Sequence, residues 1–351
     1  MDVESAAMAR QAIINGYAKE ARILPWRVPP GSGARADPYR VWLSEVMLQQ
    51  TTVAAVTPYF ERFTARWPTV SALAGADPAD VLGAWAGLGY YSRARNLIEC
   101  ARIIADDHEG HFPSEVTELR KLPGIGDYSA AAISAIGFGS AAIPVDANVA
   151  RVVARLFAIR QPLPAAKAAI HAAAQRLWPE HGGGDFAQAL MDLGASACSS
   201  RAPRCGDCPA SLWCAAHALG LAETLPVKPA KKPKPERHGR AYWVATEREG
   251  VASVWLVRRP PKGLLGGMRA LPSAMGPGED WGDAPPPTPG WRSVGTIRHV
   301  FTHFALNLTV ECSHDAVLAV GEGEWWPIKT LDEAGLPTLY RRAAALVIKE
   351  Q

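Results

Sequence analysis

The sequence has no run of about 18 apolar residues. Its first residues, MDVESAAMARQ, carry acids where a secretory leader would begin its apolar core. Neither a membrane span nor a leader is expected, and a soluble, cytoplasmic protein is. Also missing is a large charge of either sign: 37 Lys and Arg against 34 Asp and Glu leave +3 over 351 residues. A nucleic-acid partner would therefore have to show itself in local patches and motifs instead of a global excess. Cysteine is scarce, at six residues, yet four of them crowd into the stretch from Cys198 to Cys214. A reducing cytosol disfavours disulfides, which turns these four toward metal ligation and leaves Cys100 and Cys312 as buried or idle thiols. At 48% hydrophobic residues the chain can fill real cores, and its length suits two domains better than one.

From Met1 to about Leu225 the pattern is helical, Ala-rich and apolar at three- and four-residue spacing. Asp37-Pro38 and Asp77-Pro78 each read as an N-cap followed by proline at the first helical position. The stretch VKPAKKPKPERHGR, Val227 to Arg240, breaks this pattern with prolines and six basic residues against Glu236. It reads as a semi-rigid, electropositive linker, giving domains at 1–225 and 241–351 with the linker at 226–240. Beyond it AYWVATE, ASVWLVRR, WRSVGTI and HFALNLTVEC read as strands, and ALVIKE as a helical tail, so the second domain is α/β. A Pro/Gly-rich loop, MGPGEDWGDAPPPTPGW, interrupts it.

Three features can carry chemistry. In LPGIGDYSAAAI, Leu122 to Ile133, two glycines bracket an apolar residue ahead of a helix, a tight hairpin whose backbone N–H groups and helix dipole suit a phosphate oxygen. The same string also makes an ordinary turn between helices. Glu45 lies early in a helix among Val41, Trp42, Val46 and Met47, with little room for a solvated polar face. Asp146, in IPVDANVARVV, starts another helix, where aspartate is a common cap as well as a candidate catalyst. The spacing C-x6-C-x2-C-x5-C points to metal and does not separate zinc from an iron-sulfur cluster.

Taken together these strings resemble the MutY family of adenine DNA glycosylases, in the helix-hairpin-helix superfamily that includes endonuclease III. The resemblance runs nearly the whole chain: LPWR (Leu24 to Arg27), SEVMLQQT (Ser44 to Thr51), GLGYYSRARNL (Gly87 to Leu97), LPGIGDYSAAAI, VDANVARV, the four cysteines and HVFTHF (His299 to Phe304). It implies an all-α glycosylase domain followed by a MutT-like, or Nudix-like, α/β domain. It also implies a 4Fe-4S cluster on Cys198, Cys205, Cys208 and Cys214, pinning a loop that brings Arg201 and Arg204 to DNA. The expected partner is double-stranded DNA containing adenine opposite 8-oxoguanine or guanine, and the expected state is a monomer.

The implied reaction is hydrolysis of the adenine N-glycosidic bond after the base is flipped from the stack. Gln50 and Tyr90 are expected to wedge the duplex, with Thr51, Leu122, Gly124 and Gly126 also at the DNA. Trp26, Arg27, Leu48 and Gln188 are expected to line the adenine pocket. Glu45, its pKa raised by burial, would protonate the leaving base. Asp146 would stabilise the oxocarbenium ion, as the second carboxylate does in glycoside hydrolysis, and Asn148 would orient water and Asp146. Tyr128 stands where endonuclease III-like enzymes carry an attacking lysine; a phenol forms no Schiff base, so a monofunctional enzyme is expected.

Phe301, Thr302 and His303 correspond to the loop that inspects 8-oxoguanine, with Thr302 where the family usually has serine. MRALPS, Met268 to Ser273, and Asp127 in the hairpin are two further departures. The hydrolase signature of the Nudix fold is missing between Gly263 and Val300, which leaves a recognition module. Competing readings are a bifunctional glycosylase/lyase, opposed by Tyr128 and the second domain; a catalytically silent DNA-binding or iron-sulfur protein, opposed by both carboxylates; and a nucleotide hydrolase, opposed by the missing signature.

Overall fold

The structure, a computed structural model, describes residues 1–229, 233–260, 264–275, 290–301, 303–313 and 322–350. The chain divides into two compact units, Met1–Ala230 and Lys231–Gln351. Thr302 and residues 276–289, most of the expected Pro/Gly-rich loop, lie outside the described residues, as do Lys231 and Lys232 of the basic stretch.

The first unit is helical. Its elements are α1 (Val3–Glu20), α2 (Pro38–Leu48), α3 (Val53–Arg66), α4 (Val70–Ala74), α5 (Pro78–Trp85), α6 (Tyr91–Asp107), α7 (Val116–Leu119) and α8 (Asp127–Ala132). A π-helical turn (Ile133–Gly137) leads on to α9 (Ala147–Leu156), α10 (Lys167–Leu177), α11 (Gly183–Ala195) and α12 (Ala215–Ala218). The caps follow from local chemistry. Asp37 accepts from Tyr39 N–H at 2.9 Å and Asp77 from Ala79 N–H at 2.8 Å, each just ahead of a helix-opening proline.

Two hydrophobic cores form within this unit. One, from α2 to the π-helical turn, centres on Trp42, Phe60, Phe63 and Trp85; the other joins α1 to α9, α10 and α11 around Ile13, Val153, Phe186 and Leu190. The N-terminal helix thus packs on elements more than 130 residues downstream, and a seam is left between the cores. Across that seam α11 approaches the π-helical turn backbone to backbone. A Cβ on Gly184 would lie 2.6 Å from the Ala135 carbonyl oxygen and 2.9 Å from Ile136 Cα.

The second unit holds β1 (Glu236–Trp243), β2 (Ala245–Arg248), β3 (Val251–Arg258), β4 (Arg269–Ala270), β5 (Ser273–Met275), β6 (Arg292–Val300), β7 (Ala305–Cys312), β8 (Gly323–Pro327) and α13 (Thr338–Ile348). One sheet runs β5-β1-β7-β6, with β1 parallel to β7 in register Glu236↔Ala305 and β6 antiparallel to it. In the other, β3 pairs β2, β4 and β8. Leu306, Leu308 and Val310 of β7 pack with Trp243, Tyr340 and Val347.

The expected linker requires correction at its end: residues from Glu236 to Arg240 are strand, not connection. Their backbones complete the β7 ladder, while the Arg237, His238 and Arg240 side chains are exposed. Polar composition had hidden the strand, because ladder hydrogen bonding does not depend on side-chain type.

Gly184→Ala is expected to cost about 1–3 kcal/mol by overpacking the seam. A thermal melt of the variant should show a lower first transition; an unchanged midpoint would mean that the two backbones part without penalty.

Candidate active site

The seam opens into a cavity of about 510 Å³ lined from both cores. Its walls include Leu24, Trp26, Arg27, Glu45 and Leu48 on one side and Asp146, Asn148 and Gln188 on the other, with Tyr128 between. All eight residues expected at the catalytic centre and adenine pocket therefore meet in one place.

Glu45 is carried by α2, a helix buried from Val41 to Met47, and is itself only 9% exposed. Burial pushes its carboxyl up to about 7; a hydrogen bond from the Tyr128 hydroxyl and the nearby Arg27 act in the opposite direction, and Asp146 adds to the rise. Tyr128 is held well above the ordinary phenol value by burial and by the carboxylates it faces, so it serves as a hydrogen-bond donor.

Asp146 is the N-cap of α9 and also lines the cavity, so capping does not keep it from the site. Oδ1 accepts from Val149 N–H at 2.7 Å and Oδ2 from the Asn148 amide at 2.9 Å. Asn148 is fixed in turn by Arg151, whose guanidinium donates to Asn148 Oδ1 at 2.8 Å, to the Gly194 carbonyl at 2.6 Å and to the Cys198 carbonyl at 2.8 Å. Gly194 must be glycine for this contact: a Cβ there would stand 2.6 Å from that of Asn148.

The four cysteines follow α11, all as free thiols. Burial, together with the other three cysteines, raises Cys208 to about 11. The wholly buried Arg155 donates to Cys198 Sγ at 3.3 Å and to the Ser199 carbonyl at 2.6 Å, tying the loop to α9. Cys208 and Cys214 are costly to ionise where they are buried, and Cys198 already faces a guanidinium, a donor set that fits a cationic inorganic group able to hold thiolates. Among the described residues no three His, Cys, Asp or Glu side chains form a group able to hold one metal ion. Arg201 and Arg204 are exposed on the same loop, Arg204 paired with Asp207 at 2.8 Å.

Gln50 (φ 59°), between the cavity-lining Gln49 and Thr51, and Tyr90 (φ 48°), outside the cavity lining, both hold left-handed backbone. Gly124 in the hairpin needs its φ of 77°, whereas Gly126 is extended and a Cβ on it would meet nothing within 4 Å. Leu122 contributes its side chain to the core, being 5% exposed, and can meet a ligand only through its backbone. Asp127, the acidic departure in the hairpin, is paired with Arg120 at 2.7 Å.

In the second unit Phe301 and His303 occupy the β6–β7 turn. Phe301 is stacked between His299 at 4.6 Å and Phe304 at 4.9 Å, and His303 is exposed. Lys234 from the basic stretch donates to the Phe301 carbonyl at 2.6 Å.

Residues 43–180 match the HhH-GPD superfamily of base excision DNA repair proteins, and residues 241–346 match the NUDIX domain. The adenine DNA glycosylase of Rattus norvegicus is 33% identical over 88% of this chain and 71% of its own length; that of Homo sapiens is 34% identical over 88% and 67%. The chain belongs to the adenine DNA glycosylase family. A shorter match, to the adenine DNA glycosylase of Mycolicibacterium smegmatis, reaches 42% identity over 57% of this chain. Among solved structures a thermostable thymine-DNA glycosylase superposes with a TM-score of 0.54 at 28% identity, covering 62% of this chain and 98% of the other. A non-covalent endonuclease III–DNA complex, at 0.52 and 20%, covers 63% and 99% and shares the fold. Among the described residues no helix is long and apolar enough to cross a membrane.

Sequence reading missed Arg22, Asp192 and Arg93. Arg22 lines the cavity. Asp192 is 8% exposed and was legible as the one charged residue in the apolar run ALMDLGA. Arg93 donates to the carbonyls of Val46 and Met47 at 2.9 and 3.1 Å and to Leu88 at 3.0 Å, joining the end of α2 to the loop that carries Tyr90.

Glu45 keeps its proton in the folded protein to a higher pH than an unfolded glutamate, with an ordinary value of 4.5, would. The stability this lends is full below that value and is lost as pH rises to about 7. If the proton is the one delivered to the leaving base, single-turnover excision should fall with a one-proton slope as pH rises through about 7. Glu45→Gln should lose about 100-fold or more in rate and show no such limb. A wild-type rate flat from pH 6 to 8.5 would remove Glu45 from that role.

Proposed function

We propose that the enzyme excises adenine mispaired with 8-oxoguanine or guanine, using Glu45 as general acid and Asp146 as the anion beneath the sugar. The observation that carries this reading is a protonatable carboxyl, buried at the floor of a cavity and hydrogen-bonded by Tyr128, with a second carboxylate and its amide partner on the opposite wall. Adenine is a poor leaving group until a ring nitrogen takes a proton, which Glu45 supplies on flipping of the base. Glycosidic cleavage then leaves positive charge on the sugar. Asp146, held by Val149 N–H and Asn148, stabilises that charge, and Asn148 orients the attacking water.

Trp26, Arg27, Leu48 and Gln188 enclose the flipped base. The phenol of Tyr128, hydrogen-bonded to Glu45, offers no amine for Schiff-base chemistry, which supports a monofunctional glycosylase that leaves an abasic site. Gln50 and Tyr90 wedge the duplex, Thr51 lies beside them, and Gly124 and Gly126 receive a backbone phosphate, the open space at Gly126 admitting its close approach.

Cys198, Cys205, Cys208 and Cys214 would hold a 4Fe-4S cluster, which would supply a cross-link to the loop bearing Arg201 and Arg204. The second unit reads the opposite base through Phe301, Thr302 and His303. The enzyme acts as a cytoplasmic monomer on double-stranded DNA.

Adenine is a normal base, so its own pocket cannot separate a mispaired adenine from one paired with thymine; the opposite base has to be read. The decisive experiment is single-turnover excision from duplexes with adenine opposite 8-oxoguanine, guanine, cytosine or thymine, with and without alkali. Changing Phe301, Thr302 and His303 together to alanine should reduce the preference for 8-oxoguanine over guanine by about one to two orders of magnitude, with little change on the guanine mispair. Equal losses on both would assign the loop to general binding or folding.

Protein prepared without oxygen should contain about four irons per chain and absorb in the visible thiolate-to-iron region. Stoichiometric zinc in place of iron would overturn the cofactor assignment.

A further inference from the structure

One carboxylate gathers both arginines of the pocket wall. Asp192, on α11, accepts from Arg27 Nη1 with both oxygens at 2.8 Å. It accepts from Arg22 through Nε at 2.6 Å and the backbone N–H at 3.1 Å, and is ion-paired with Arg22 Nη2 at 2.6 Å. The pairs are sheltered, with side-chain exposures of 11% for Asp192 and 8% for Arg27, and 35% for Arg22. Both arginines line the cavity that holds Glu45.

We propose that Asp192 is a positioning residue for adenine excision, fixing Arg22 and Arg27 in the pocket wall and cancelling much of the positive field of Arg27 at Glu45. The proposal rests on the reading of Glu45 as the general acid. Its logic is electrostatic. The pocket must present guanidinium donors to an uncharged base while a carboxyl a short distance away stays protonated, and free cations beside that carboxyl favour its ionised form. Arg27 already pulls the Glu45 carboxyl downward against its burial. With Asp192 the two arginines carry a net single positive charge, and without it two.

The groups that face Glu45 are few. They are Tyr128 of α8, Asp146 at the start of α9 and Arg27 from the segment before α2. The π-helical turn packed against α2 has no titratable side chain, α3 sends Glu61, Arg62 and Arg66 to the surface, and α11 adds the neutral Gln188 and an exposed Asp185. Asp146 is the one other described carboxylate that faces Glu45, and it is unchanged in the Asp192 variants.

The test is the pH dependence of single-turnover excision by Asp192→Asn, with melting and mispair affinity measured alongside. The alkaline midpoint should move to lower pH by roughly one unit. The loss in rate should be about tenfold at pH 8 and shrink toward wild type near pH 6, whereas damage to packing alone would lower the rate evenly at every pH. Asp192→Glu keeps the charge and should keep the wild-type midpoint. Should the asparagine variant not fold, Arg27→Met in the otherwise unchanged protein removes one cation from the same field and should move the midpoint upward. An unchanged midpoint in a folded Asp192→Asn protein, or in Arg27→Met if the former is unfolded, overturns the proposal. A wild-type profile with no alkaline limb would instead sink the assignment of Glu45.

Discussion

A carboxyl group keeps its proton near neutral pH where water is held away from its charged form, and the proposed role of Glu45 sets that constraint on the first unit. As the proposed acid, Glu45 could lie neither in a single packed core, where nothing could reach it, nor on a surface, where it would ionise. The chain places it in a seam between two cores, and the seam exists because α1 leaves its sequence neighbours and packs with α9 to α11. The close approach at Gly184 keeps the seam narrow, and helix starts and a half-buried arginine supply its fixed polar contacts.

The helical unit was legible because its signals are local. Asp-Pro caps, the three- and four-residue spacing and the hairpin glycines each report on a few neighbouring residues, and the structure has helices where they point. The second unit was less so. Its β4, β5 and β8 are two to five residues long and defined by partners on β3 and β1, so nothing in MRALPS or GEWWP announces them. Glu236 to Arg240 passed for linker for the same reason.

At the site the division runs differently. The residues expected to touch adenine or the sugar were read from their strings and line one cavity, while the long-range partners that hold the cavity wall were not read. Arg151, Arg93 and Asp192 act across 43 to 170 residues of chain, and a pairing at that range leaves no periodic or motif signature. Asp146 shows the opposite limit: its cap geometry and its place in the cavity are both real, and local sequence had offered them as rivals.

If Gln50 and Tyr90 form the proposed wedge, their left-handed backbone bears on how the enzyme would travel along DNA. An L-residue with a Cβ pays on the order of 1–2 kcal/mol to sit in that region, and here the free protein already holds both residues there. A wedge preset in this way is a stiff probe: it loses little conformational freedom on entering the helix and presses on each base pair it passes. Inspection then becomes a race between the dwell time on a step and the stacking strength of that step. A weakly stacked or mismatched pair yields within the dwell, and a sound one lets the protein move on.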